Sequence, residues 1–81
     1  MSPQLRRLRA RDLLRALGAF GFEVVSTRGS HAKLRRFAPD GSAQILTIPV
    51  HKELASGTLR AIFRQAGRFI PEEKLKPFFF R

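Results

Sequence analysis

In Thr27-Arg28-Gly29-Ser30-His31-Ala32-Lys33-Leu34, one imidazole follows a Gly-Ser turn, with Arg28 ahead of it and Lys33, Arg35 and Arg36 behind it. Imidazole exchanges a proton near neutral pH. Side chains two and four residues along a strand share one face, so Lys33 and Arg35 belong to the face that carries His31. Proton transfer beside positive charges is what reaction at a phosphate needs: an acid or base, and cations aimed where negative charge builds up. The only other histidine, His51, closes Thr47-Ile48-Pro49-Val50-His51.

Other chemistries find less support. There is no cysteine, hence no disulfide and no thiolate site, which fits a reducing compartment. His31, His51, Asp40 in a turn and Glu53 past the third strand have no recognisable metal-ligand spacing, so neither a metal nor a cofactor is expected. No Ser-His-Asp set has a plausible carboxylate, and Ser30 reads as a turn residue beside the histidine rather than a nucleophile. The strongest bulk signal is charge: 16 Lys and Arg against 6 Asp and Glu give a net +10 on 81 residues. Such a surface repels itself unless a polyanion or acidic partner screens it, and nucleic acid leads that class. The plainer reading is a basic solvated surface.

The elements that must position these residues follow from periodicity. Residues 1–9 form a basic arm that either grips phosphate or frays. From about Ala10 the pattern is helical, with Leu13, Leu14 and Leu17 on one side, Arg11 and Arg15 on another, and Gly18 and Gly21 at the end. Three strands follow. The even positions Phe22, Val24, Ser26, Ala32, Leu34, Leu46, Ile48 and Val50 are assigned to the face packed on helices. Glu23, Thr27, His31, Lys33, Arg35, Thr47 and His51 are assigned to the other face, with Val25, Phe37 and Ile45 as apolar exceptions. Arg36 breaks the even rule, so the second strand is expected to leave the core there.

Arg28-Gly29-Ser30 joins the first two strands, and Ala38-Pro39-Asp40-Gly41 joins the next two as a type I turn with a glycine bulge, a three-residue loop. Position 38 then faces 42 and 31 faces 49. His51 falls diagonally beside His31, about 7–8 Å away, near enough to share one small ligand. Beyond it, Ser56 or Thr58 is the expected N-cap of a helix carrying Leu59, Ile62, Phe63 and Ala66, with Arg60 and Arg64 on its polar side and Gly67 at its end. Pro71 opens a short further helix with Glu72 and Glu73 in its first turn. Phe78, Phe79 and Phe80 cannot all face one core, so at least one is exposed or covered by a partner.

The expected architecture is α+β: an α-β-β-β-α sandwich with a three-stranded antiparallel sheet, both main helices on one face, and a short extra C-terminal helix. That order matches the double-stranded-RNA-binding-domain architecture. One domain spans 1–81, with an arm at 1–9, a core region at 10–67 and an extension at 68–81. No apolar run is long enough for a bilayer and no secretory h-region follows the basic start, so a cytoplasmic protein without membrane contact is expected.

Gly29-Ser30-His31 in a hairpin, then Thr47-Ile48-Pro49-Val50-His51, then Gly57-Thr58-Leu59-Arg60-Ala61-Ile62-Phe63-Arg64-Gln65-Ala66-Gly67 resemble the HicA family of toxin proteins. Leu13-Leu14 and Gly21-Phe22-Glu23-Val24-Val25 fit the same pattern, so the resemblance covers roughly residues 10–67. It implies a small ribonuclease that cuts mRNA and is neutralised by a cognate HicB-type antitoxin. It also implies a catalytic role for His31, the histidine of the Gly-Ser-His pattern.

RNA carries its own nucleophile, the 2′-hydroxyl, so a ribonuclease need only move protons and steady charge. On this reading His31 is the catalytic acid or base, without metal. Lys33 and Arg35 clamp the phosphate, Arg28 is an approach contact, and Ser30 and His51 complete the RNA-binding set. The alternative is a non-catalytic RNA-binding module whose histidine and cations only grip the backbone. A third class is a basic protein–protein module with an acidic partner.

Overall fold

Leu13 and Leu17 lie one helical turn apart and are both fully buried, which fixes the inward side of a helix over Ala10–Ala19, α1. Its first turn is held by Asp12, whose carboxylate accepts the Arg9 backbone N–H at 3.0 Å. Its last turn closes as a Schellman motif: the Gly21 N–H donates to the Gly18 carbonyl and the Phe22 N–H to that of Leu17. Gly21 takes the left-handed conformation this requires, at φ +96°. The helix therefore runs through Gly18 and ends at Ala19, ahead of the turn at Gly21, and Phe22 returns into the core.

The structure, a computed structural model, describes residues 4–81, so the first three residues of the predicted arm lie outside the described residues. Strands β1 (Glu23–Arg28), β2 (His31–Phe37) and β3 (Ala43–Pro49) follow α1, then helices α2 (Ser56–Ala66) and α3 (Glu72–Phe79). The sheet is antiparallel in the order β1-β2-β3, with β2 in the middle. Ala32, Leu34, Leu46 and Ile48 from its inner face join Leu13, Leu17, Leu59, Ile62, Leu75 and Phe79 from the helices in one buried cluster. This is the α+β sandwich of double-stranded-RNA-binding-domain type, helices on one face, that the sequence predicts.

The β2–β3 register is the predicted one: His31 faces Pro49, Lys33 faces Thr47, and Phe37 faces Ala43. The loop closes with the Ala38 N–H on the Ser42 carbonyl at 2.8 Å and the Gly41 N–H on Ala38, while Asp40 accepts from both the N–H and the Oγ of Ser42. The first hairpin is tighter than expected. Arg28 belongs to the strand and pairs with His31, leaving a two-residue turn in which Gly29 sits at φ +58°.

Several expectations need correction. A bulge between Val24 and Ser26 inserts one residue into β1, so Ser26 pairs with Lys33 and Thr27 with Ala32. The extra residue reverses the parity of the strand's second half: Ser26 joins the outer face and Thr27 the inner one. All of β1, an edge strand paired with β2 alone, is exposed, including Val24. The chain leaves the sheet at Pro49, so Val50 and His51 lie past β3.

Arg36 does not take β2 out of the core. Its guanidinium donates to the carbonyls of Phe20 and Phe69, both at 2.9 Å, and to Gln44 Oε1 at 2.7 Å, and stacks on the Phe22 ring. A charge is tolerated on the inner face because each donor group has a partner. Neither Ser56 nor Thr58 caps α2. Leu54 is buried and its N–H is tied to the Leu8 carbonyl, which puts the extended cap residue at Ala55 and makes Ser56 the first helical residue.

Pro71 precedes α3 as its cap residue. Among the three terminal phenylalanines Phe79 is fully buried and Phe78 is 39% exposed, while Phe80 pairs with Leu5 in an isolated antiparallel bridge. Residues 4–6 of the arm are thus bound to residues 79–81, with backbone bonds between Gln4 and Arg81 and between Arg6 and Phe79.

Candidate nucleic-acid interface

The outer face of the sheet is built in rows across its three strands. Arg28, His31 and Pro49 form the row nearest the first turn. Ser26, Lys33 and Thr47 form the next, and Glu23, Arg35 and Ile45 the third. Both neighbours of β2 hold it by backbone pairing, so His31 and Lys33 are mounted on the most constrained strand. The helices pack on the opposite face, leaving these side chains exposed.

A hollow of about 480 Å³ opens over the first two rows, lined by Ser26, Thr27, Arg28, His31, Lys33 and Thr47. One imidazole, one guanidinium and one ammonium converge there with the hydroxyl side chains of Ser26 and Thr47, while Thr27, turned to the inner face by the bulge, borders the hollow. Such a set can hold a phosphate by charge and by hydrogen bonds while imidazole moves a proton. Ser30 stands in the adjoining turn, and its carbonyl accepts the Val50 N–H at 2.6 Å, tying the turn to the end of β3.

Two predicted site residues stand apart. Arg35 lies one row further along, with Glu23 as its register partner and its guanidinium 4.9 Å from the centre of the Phe37 ring. His51 is not among the residues that line the His31 hollow. It lines a second hollow with Arg9, Ala10, Arg11, Leu14, Val50 and Lys52, and its carbonyl accepts the Ala10 N–H at the start of α1. The separation follows from the chain's departure at Pro49.

Sequence reasoning missed Ser26 as a companion of the hollow because the bulge reverses its face. Thr47 is on the predicted face, and the register that brings it opposite Lys33 was available from the loop length. Among the described residues no group of three or more His, Asp or Glu side chains is placed to hold a metal ion, and no helix is long and apolar enough to cross a membrane.

The profile of the family described as "HicA toxin of bacterial toxin-antitoxin" matches residues 10–67, which span α1 to the end of α2. No significant match to a curated protein or to a solved structure accompanies it.

Proposed function

The chain belongs to the HicA toxin family of bacterial toxin–antitoxin systems, and from that membership we propose that it is a metal-independent endoribonuclease that cleaves mRNA in the cytoplasm. The observation that carries this reading is the convergence of His31 with Arg28 and Lys33 in one open hollow. The 2′-oxygen of RNA bonds to phosphorus, the bond to the 5′-oxygen breaks, and a 2′,3′-cyclic phosphate and a 5′-hydroxyl result. One proton leaves the 2′-hydroxyl and one reaches the departing 5′-oxygen. His31 transfers the proton at one of these oxygens and water serves the other. Lys33 and Arg28 steady the charge on the phosphate, Ser30 borders the bound strand, and Arg35 and His51 extend the contact beyond the hollow.

A cognate antitoxin of HicB type completes the system. A net charge of +10 suits an acidic partner, and one seated over Arg28–Arg35 covers the histidine and the cations together. The test of the reaction is the chemistry of its ends. RNA should yield 2′,3′-cyclic phosphate and 5′-hydroxyl termini, and a single 2′-deoxy substitution at the cleaved position should abolish cleavage there. Cleavage that persists at the deoxy position would rule out this mechanism. Binding without cleavage would make the protein a non-catalytic RNA-binding module.

A further inference from the structure

The second hollow has a composition of its own. Ala10, Leu14 and Val50 make an apolar floor, and Arg9, Arg11, His51 and Lys52 a basic rim, around a space of about 340 Å³. All four rim residues are exposed, and none of the six acidic residues is among its lining residues. Two acids adjoin the rim in sequence: Asp12 has its carboxylate on the Arg9 backbone N–H and lines a different groove with Arg15 and Phe78, and Glu53 lines another with Arg6 and Arg7. An apolar floor inside a cationic rim matches the two halves of a nucleotide, a base or ribose that seeks cover and a phosphate that seeks charge.

One backbone hydrogen bond links the surroundings of the two hollows. Ser30, in the turn beside the first, is bonded through its carbonyl to the N–H of Val50, which lines the second. A strand lying across the His31 hollow that crosses this bridge arrives among Arg11, His51 and Lys52.

We infer that the hollow lined by Arg9, Arg11, His51 and Lys52 is a second nucleotide-binding site, which holds a nucleotide flanking the scissile bond of the same single RNA strand. The inference rests on the ribonuclease reading and extends it. Arg9 and Arg11 enter from the start of α1, His51 and Lys52 from the segment that follows β3, so the site joins the first helix to the chain leaving the sheet. Its contribution is affinity and placement of the strand, while proton transfer stays at His31.

The test uses the full chain carrying His31→Ala, so that RNA stays intact, and a single-stranded RNA of about ten nucleotides. Adding Arg11→Ala and Lys52→Ala should weaken binding about five- to tenfold, as the loss of two exposed charge contacts does. The plot of log affinity against log salt should become shallower by about 0.7 for each side chain removed. The charge-keeping pair Arg11→Lys and Lys52→Arg should restore most of the affinity, and circular dichroism should match throughout. With His31 intact, the alanine pair should raise KM for the long RNA and erase the preference for it over a dinucleotide. Unchanged affinity and salt slope, with wild type still cleaving, would overturn the second site and leave the ribonuclease reading standing. So would an unchanged RNA affinity with a weakened antitoxin complex, which would assign the surface to the protein partner. A wild-type protein that neither binds nor cleaves RNA would remove both readings.

Discussion

Arg28 and His31 are direct register partners across the β1–β2 hairpin, separated only by the Gly29-Ser30 turn. The pairing holds a guanidinium beside the imidazole on the face the helices leave open, and Lys33 is the next residue of that face along β2.

This arrangement ranks the cations. Lys33 and Arg28 line the hollow with His31, whereas Arg35 lies one row away, opposite Glu23 and against the Phe37 ring. Lys33→Ala and Arg28→Ala should each lower kcat/KM by about 10²–10³, the range for removing a group that stabilises transition-state charge. Arg35→Ala should cost about tenfold or less, as an exposed charge contact outside the reacting centre does. Steady-state cleavage of a fluorogenic RNA measures all three. An Arg35 effect equal to that of Lys33 would place the phosphate further along the strand.

Arg36 should matter to stability. Its guanidinium serves the Phe20 carbonyl at the end of α1, the Phe69 carbonyl beyond α2, and the Gln44 side chain. Arg36→Ala removes three partners at once and should cost about 2–4 kcal/mol in urea unfolding, and Arg36→Lys should recover only part of it, because one ammonium cannot reproduce the planar fork. An alanine variant as stable as wild type would show that the three acceptors find water without cost.

The second hairpin should carry a pH signature. Asp40 accepts from the Ser42 hydroxyl and from the Ser42 backbone N–H, and these bonds hold its carboxyl below the usual carboxylate range. A carboxyl whose pKa is depressed in the folded protein contributes stability above its unfolded pKa and loses it as pH falls through the folded one. Asp40→Ala should therefore be less stable than wild type at neutral pH, and the gap should close in acid. Thermal melts between neutral pH and pH 2 check this, and a gap independent of pH would assign the effect to turn conformation alone.

Charge reversal should separate partner from substrate. Lys33→Glu and Arg35→Glu should each weaken the complex with an acidic antitoxin seated over Arg28–Arg35, chiefly through slower association, and the effect should shrink at high salt. Surface plasmon resonance at two ionic strengths measures it. An unchanged complex would put the partner elsewhere, for example on the groove beside the exposed Phe78 between α1 and α3.

Much of this was legible in the residues because local chemistry and global packing agree. Leu13 with Leu17, and Leu59 with Ile62 and Ala66, declare the buried sides of their helices by spacing. Pro39-Asp40-Gly41 fixes a loop length, and that length alone gives the facing of His31 and Pro49. What escaped depends on contacts distant in sequence. The bulge at Val24–Ser26 leaves no mark in a period-2 pattern that extends across it. Arg36 looks like a misplaced charge until three acceptors from other elements surround it. Ala55 caps α2, although Ser56 and Thr58 have the better side chains, because Leu54 is anchored to Leu8. His51 fails to join His31 for an equally plain reason: diagonal pairing needs a strand that continues, and β3 ends at Pro49.

The central claim is proton transfer by His31, and the most direct test compares RNA cleavage by wild type and by His31→Ala with EDTA present. The account predicts cleavage by wild type, and none by the variant although it folds and binds RNA as tightly. Equal cleavage by both proteins, or loss of wild-type cleavage on adding EDTA, would contradict it.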